Sequence, residues 1–324
     1  MIVFCGYANV DLTVEVPVLP GPAARVQATR VRRGEGGMAA NAAVAAARMG
    51  ADARFAGVVG PDRESTAFLA ALAADGVDTR GTSRSGVLTT AVVLLTPDGE
   101  RSIISQDDRV TTEHVVAAAA AARDAGAWLY LDGYRFPEAA DVLGGPGRPR
   151  LVVDLDGCDG PAAMRAALAA ADHALVGRAQ ATALLAGGAA DAVPAADADR
   201  ALAAEAAAHR VNLVVTDGAR GWTLFAPDGA RRAGAAIEVT AVDAIGAGDC
   251  FAGAYCAELD RGSAPPDAAR VAAVAAGLSC TRPGARDGLP HRASVLSRLR
   301  AGNDSRTPAP DAPNAPVRPL REET

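Results

Sequence analysis

The 324-residue chain contains no lysine; all 32 of its basic residues are arginine. A phosphate-binding loop of the G-x-x-x-x-G-K-[ST] type needs a lysine on the phosphates and is therefore excluded, as is Schiff-base chemistry on a lysine amine. No apolar run reaches the length of a membrane span, because Arg, Asp or Gly interrupts each one. The first residues, MIVFCGYANVD, enter a strand-like run with no basic segment before it, so no signal peptide is expected. Five cysteines (Cys5, Cys158, Cys250, Cys256, Cys280) and four histidines are scattered without metal-ligand spacing. Reduced thiols in a cytoplasmic protein are the expectation. A net charge of −6 argues against nonspecific binding to nucleic acid.

What the sequence does have is alternation. Short β-type runs such as Ile2–Cys5, Ala53–Val58, Leu151–Leu155 and Asn212–Thr216 alternate with alanine-rich helical runs such as Met38–Met49, Arg63–Ala74, Gly248–Leu259 and Pro266–Cys280. Continuous apolar strands between helices predict an α/β fold with a mostly parallel central sheet covered on both faces. Two stretches, Leu12–Arg33 and Thr82–Ser105, hold strand-like segments without an intervening helix. The second contains TTAVVLLTPDGERSIIS, a hairpin pattern around Pro97-Asp98-Gly99. These excursions are either two surface hairpins or one small β-sheet lid, with segments about 12–33 and 82–108. From Asn303 the chain is Pro-rich, polar and aperiodic, so a disordered tail (303–324) is expected after a single domain of residues 1–302.

The most informative segment is Val242-Asp243-Ala244-Ile245-Gly246-Ala247-Gly248-Asp249-Cys250-Phe251. Gly246, Ala247 and Gly248 form a small-residue turn that delivers Asp249 to the start of an apolar helix. The first N–H groups of a helix lack helical acceptors and the helix dipole makes that end positive, so it attracts a phosphate. A carboxylate beside it can take a proton from an attacking hydroxyl. An ordinary helix start with an acidic first turn has the same appearance. Three further segments carry chemistry. Gly36 and Gly37 open the helix that holds Asn41, whose amide offers a donor and an acceptor to a vicinal diol. Asp11 follows the first strand, and ligands of parallel sheets bind beyond the carboxyl ends of strands. Thr216, Gly218 and Gly221 shape a turn between two strands that can pass over nucleotide phosphates, although any hairpin needs such glycines.

In this order and spacing, GGMAANAAVAAARMG, FAGVVGPDRES, VTDGARG and above all VDAIGAGDCFAGA resemble the ribokinase-like (PfkB) carbohydrate kinase family, over roughly residues 1–300. The resemblance implies a three-layer, Rossmann-like α/β fold with a small β-sheet lid. It implies that Asp249 is the base and that Gly246, Ala247 and Gly248 form the anion hole. By the same resemblance Asp11, Gly36, Gly37 and Asn41 hold the sugar, and Thr216, Gly218, Gly221 and Asp243 line the nucleotide site. ATP and Mg²⁺ are the implied cofactors, with K⁺ near Asp243 and Ile245 and the Cys280–Gly288 loop as a further option, and a homodimer through the lid is expected. The chain departs from the family where an Asn-x-x-Glu motif organises the Mg²⁺ water shell: Gly177 and Gln180 stand there instead. Within the family VVDLDG, ADHALVG and SCTRPGARDGLP look most like the sulfofructose kinase and ketohexokinase branches. Arg25, Arg30, Arg32 and Arg33, with Arg101 and Arg135, could bind a sulfonate or phosphate on the sugar, or simply protect an edge strand. The expectation is an ATP-dependent sugar kinase; a nucleoside kinase and a catalytically idle sugar-binding protein are the alternatives.

Overall fold

Strand β1 (Ile2–Cys5) is buried along its whole length, and its side chains divide between two faces. Ile2 and Phe4 join one apolar cluster, while Val3 and Cys5 join another. A strand covered on both sides has no solvent face, which explains the unbroken apolar runs in the sequence. The protein is described from a computed structural model, over residues 1–98, 101–106, 110–134, 136, 143, 145, 147–186 and 195–304.

Around β1 the main sheet contains β4 (Ala53–Ala56), β7 (Trp128–Leu131), β8 (Arg150–Asp154), β9 (His173–Gly177), β10 (Asn212–Thr216), β11 (Trp222–Phe225) and β12 (Arg231–Gly234). Their order is β12-β11-β10-β9-β8-β7-β1-β4. All neighbours from β10 to β4 are parallel, and β11 and β12 add an antiparallel edge. One face carries α1 (Met38–Arg48), α2 (Arg63–Ala74), α7 (Ala247–Asp260), α8 (Pro265–Ser279) and α9 (Arg292–Asp304). The other carries α3 (Thr112–Asp124), α4 (Gly160–Ala170), α5 (Arg178–Ala186) and α6 (Ala195–His209). Three layers result, as expected. No helix among the described residues is long and apolar enough to cross a membrane.

The two helix-free excursions form one second sheet. Strands β2 (Asn9–Glu15), β3 (Arg30–Gly36), β5 (Thr89–Leu95) and β6 (Arg101–Ser105) are ordered β3-β2-β5-β6, with β2 and β5 parallel. The first excursion is longer than its sequence pattern suggests. After β1 ends at Cys5 the chain pairs again from Asn9, because there it finds hydrogen-bonding neighbours in both β3 and β5. Asp11 therefore lies inside β2 rather than at the end of the first main-sheet strand. At the other end, α9 continues through Asn303 to Asp304, two residues into the stretch expected to be a tail, and residues 305–324 lie outside the described residues.

Helices α1 and α7 pack unusually close. Alanines 39, 40, 42, 43, 45 and 46 of α1 are all at most 2 % exposed. Gly253 of α7 rests on them so tightly that a Cβ there would overlap the Ala42 carbonyl and stand 2.7 Å from the Ala45 Cβ. Alanine is the better helix former by about 1 kcal/mol, but the obstacle here is backbone, which cannot rotate away. Overpacking of this kind costs about 1–3 kcal/mol or more. Gly253→Ala is therefore expected to lower the melting temperature by several degrees; an unchanged or higher melting temperature in thermal unfolding would show that the two helices are not held apart by so little.

Candidate active site

The chain leaves β1 for α1 and β4 on one side and returns to β7 on the other, so the strand order reverses at β1 and β7, and ligands of such sheets bind beyond the carboxyl ends at that point. There the Tyr7 N–H donates to the Asp132 carboxylate at 2.8 Å. Two helices begin at this edge with glycine N-caps and no side-chain cap: α1 at Gly37 and α7 at Gly246. By contrast α2 and α3 satisfy their own first turns, through Asp62 on Ser65 and Thr111 on His114. The α7 end carries Asp249, the first of the carboxylates described next, in its first turn.

At that end the Cys250 N–H donates to the Gly246 carbonyl, closing the first helical turn. The Ala247 N–H is also engaged, donating to Ala244 O at 3.2 Å. Of the expected run of unpaired amides, those of Gly248 and Asp249 are the ones the helix itself leaves without acceptors. Gly248 is exposed, and nothing lies within 4 Å of where its Cβ would stand. Gly246 has φ of 74° and touches the loop after α8, where a Cβ would stand 2.9 Å from Ala285 O. Asp243 fastens the same loop: its carboxylate accepts from Ile245 N–H at 2.9 Å and Gly284 N–H at 2.8 Å. It is a brace between the turn and the loop, so only main-chain carbonyls there would be left for a monovalent cation.

Asp249 keeps part of its surface open while its carboxyl group is crowded by protein. Burial pushes its pKa up to about 6; the hydrogen bond from Asn41 and the charge of Arg286 oppose the rise, and Asp11 and Asp156 add to it. Asn41 donates from Nδ2 to Asp249 Oδ2 at 2.8 Å and accepts on Oδ1 from Arg286 Nε at 2.8 Å. Its residue is 3 % exposed. The sequence offered Asn41 as a grip for a diol; its acceptor and one donor are instead engaged within the protein. The glycines before it also serve protein groups. A Cβ at Gly36 would overlap the Asp11 carboxylate, and one at Gly37 would stand 2.6 Å from Ala8 Cα. The room at Gly36 lets Asp11 lean from β2 toward α1. Asp11 accepts from Asn9 Nδ2 at 2.7 Å; burial raises its pKa, while Asn9 and Arg286 draw it back.

Several members of the site receive no role from the sequence. Arg286, from the loop after α8, is 6 % exposed, donates to Asn41 and to Gly36 O (3.1 Å), and lies 4.7 Å over the Phe68 ring. Its Nη1 is buried with no acceptor. Asp154 and Asp156, at and just after the end of β8, stand near Asp249 and are both raised by burial, Asp154 further by the charge of Asp156. The Gly177 N–H donates to Asp156 Oδ1 at 2.9 Å. A side chain at 177 would begin 3.2 Å from Asp156 Oδ2 and 3.3 Å from Gln180 Oε1. The space left by the absent Asn-x-x-Glu asparagine is thus ringed by oxygens from Asp156 and Gln180. The sequence offers an aspartate-rich turn there, VVDLDG, but aspartates are common in such turns.

Other expected residues are more dispersed. Thr216 ends β10, with Oγ1 3.5 Å from Val176 O, and Gly218 borders open space. Gly221 is held against β12 by the hairpin, where a Cβ would overlap Gly234 O. A depression of about 410 Å³ beside this turn is lined by Arg178, Arg220, Trp222 and Arg231, with Asp217 pairing Arg220 and Arg178. The arginine cluster is divided. In the β2–β3 register Arg30 and Arg32 lie opposite Glu15 and Thr13, on the face of Asp11, whereas Arg33 falls on the other face and pairs with Glu64. Arg32 pairs with Glu15 at 3.1 Å, and Arg25 is exposed in the β2–β3 connection. Arg101 pairs through its backbone with Leu95, and Arg135 lies outside the described residues. A depression of about 440 Å³ between β4 and α3 contains none of the candidate site residues, and its Arg54 and Arg80 are paired with Asp78.

A doubly covered parallel sheet with a small second sheet, and a carboxylate at a capless helix start beyond its strand ends, define the class: an α/β protein with a candidate anion-binding helix end beside an acidic group. Residues 1–292 match the model of the pfkB family of carbohydrate kinases, and the chain belongs to that family. Its fold is similar to that of ribokinase from Thermotoga maritima (TM-score 0.77, 22 % identity, covering 93 % of this chain and 99 % of that one). It is also similar to Arabidopsis thaliana ribokinase, solved with ribose and ATP (TM-score 0.77, 25 % identity, 92 % and 98 % covered). A nucleoside kinase from Methanocaldococcus jannaschii shares the fold at 17 % identity (TM-score 0.71, 93 % and 98 % covered). Family membership makes the chain a kinase with an alcohol acceptor.

The burial of Asp249 has a consequence for stability. Its folded pKa, about 6, lies above the ordinary aspartate value, 3.8. The ionised form is thus disfavoured by folding, and its cost to stability grows as pH rises from below about 4 to above about 6. The melting temperature of Asp249→Asn relative to the wild type is expected to climb across that window, so that near pH 8 the variant is at least as stable. A difference that falls with rising pH would contradict the assigned environment.

Proposed function

We propose that the protein is an ATP-dependent sugar kinase in which Asp249 deprotonates the acceptor hydroxyl. The observation that carries this reading is Asp249 in the first turn of α7, a helix that starts without a side-chain cap, next to Gly248, which is exposed with nothing within 4 Å of its Cβ position. A base and an anion-binding helix end around one space are what phosphoryl transfer to an alcohol requires, since positioning and charge stabilisation carry most of its catalysis. A raised pKa suits the role: above about pH 6 Asp249 is ionised, yet it is basic enough to accept a proton.

In this reading Asp11 holds sugar hydroxyls from the small sheet, with Asn9 orienting its carboxylate. The small sheet would close over the sugar and exclude water, which limits transfer to water. The Thr216–Gly221 turn would carry the nucleotide, with the open backbone at Gly218 against its phosphates. Mg²⁺ arriving with ATP would neutralise phosphate charge. The oxygens around Gly177, from Asp156 and Gln180, are hard donors of the kind that suits its water shell. On the sugar's far end, Arg32 and Arg30 share a face with Asp11. This favours an acceptor bearing a phosphate or sulfonate, such as an anionic ketose, over a nucleoside. We further propose a homodimer through the small sheet, whose exposed Ile103 and Ile104 on β6 need cover.

The test is an ADP-release assay with Mg²⁺-ATP against neutral, phosphorylated and sulfonated ketoses, pentoses and nucleosides, with and without K⁺. Sugar-dependent ADP release is expected, and Asp249→Asn should lower turnover by at least about a hundredfold with ATP binding kept. Normal turnover in that variant would remove Asp249 as the base.

A further inference from the structure

We propose that Arg286 is a positioning residue for the base: it pins the Asn41 side-chain amide in the one orientation that keeps the Asp249 carboxylate ionised. The inference rests on the reading of Asp249 as a base and deepens it. A guanidinium has donors and no acceptors, so Arg286 Nε at 2.8 Å can only meet the amide oxygen of Asn41. That commits Oδ1 to Arg286 and turns Nδ2 to Asp249, where it donates at 2.8 Å. A donated hydrogen bond favours the carboxylate over the carboxylic acid. Without Arg286 the amide could turn over when Asp249 is protonated. Oδ1 would then accept the acid's O–H and stabilise the neutral form.

The surroundings support a directed placement. Arg286 is anchored twice more, to Gly36 O at 3.1 Å and against the Phe68 ring. Its own backbone is held to α1 by Arg48, whose Nη1 donates to Arg286 O at 2.7 Å and Leu289 O at 3.0 Å. Burial lowers its pKa only to about 10, so it is a full cation at neutral pH. The charged groups facing it are Glu35 at the end of β3, Asp75 after α2, Asp11 on β2 and Asp249 on α7. Those facing Asp249 are Asp11, Arg286 and Asp156, and Asp249 in turn acts on Tyr130 and Asp154. All except position 286 are unchanged in the Arg286 variants below. A purely structural arginine would leave the proton affinity of Asp249 where it is.

The experiment follows Asp249 directly, by carbon-13 NMR of the full-length protein labelled at aspartate Cγ. The Asp249 signal is the one missing from Asp249→Asn. Its titration midpoint is expected near the value that burial gives it, about 6, and to rise by about one unit in Arg286→Met. Arg286→Lys, which still offers a charged donor to Asn41 Oδ1, is expected to restore the midpoint to within about half a unit of the wild type. Thermal unfolding checks that each variant is folded. Should Arg286→Met not fold, Arg286→Leu, which likewise offers Asn41 no donor, carries the test with the same direction of shift. An unmoved midpoint in a folded neutral variant overturns the proposal. In the ADP-release assay the acid limb of kcat should move with the NMR midpoint while KM for ATP stays constant. A wild type without sugar-dependent turnover would refute the kinase reading and leave the NMR result for Arg286 standing.

Discussion

A carboxylate crowded by protein at the first turn of a helix is the constraint on which the rest of this site depends. Its charge is costly to bury, and the molecule offsets that cost in part rather than removing it. One hydrogen bond comes from Asn41, one positive charge from Arg286, and the end of α7 contributes its dipole. Against these stand Asp11 and Asp156, which raise the pKa again. The balance leaves Asp249 ionised near neutrality but eager for a proton. None of the side-chain partners lies on α7 itself, so the packing of α7 against α1 sets the chemistry. Gly253 and the alanines of α1 bring the two helices close enough for Asn41 and Asp249 to meet.

The topology explains how distant segments reach one edge. Strands β2 and β3 are inserted between β1 and α1, and β5 and β6 between α2 and α3, so both pairs rise from the carboxyl-end side of the main sheet and join there. This delivers Asp11 from outside the main sheet, while Gly36 ends the returning strand and makes room for its carboxylate. The same two-residue stretch thus closes the small sheet, opens α1 at Gly37 and accepts Arg286 on its carbonyl. Local backbone chemistry and site geometry are one arrangement here.

Much of this was legible in the sequence. Period and apolar runs gave the strands and helices, because a doubly covered sheet leaves a strong local trace. Gly246 through Asp249 stood out because a glycine turn into an apolar helix is also local. What escaped was nonlocal. The segment SCTRPGARDGLP resembles its family, but nothing in it singles out Arg286 for this role, which comes from Asn41 and Gly36, far away in sequence. Asn41 was recognised as a site residue, but its partners could not be read, so a ligand grip was expected where an internal bond is found. Asp11 was identified while its strand was not, because the pairing of β2 with β5 joins segments separated by two helices.

The arginines show how far composition can mislead about a ligand. Four of them crowd residues 25–33, which reads as an anion site, yet strand alternation sends Arg33 to the opposite face and Glu15 and Glu64 neutralise two of the four. If an anionic group on the sugar is recognised, it must compete with Glu15 for Arg32 or be met by Arg30, which shares that face. Competition for a paired, half-exposed arginine yields modest discrimination, because the lost ion pair offsets the new one. Selectivity for such a substrate would then have to come from its exclusion of water and its fit to the closed small sheet, and only secondarily from net charge.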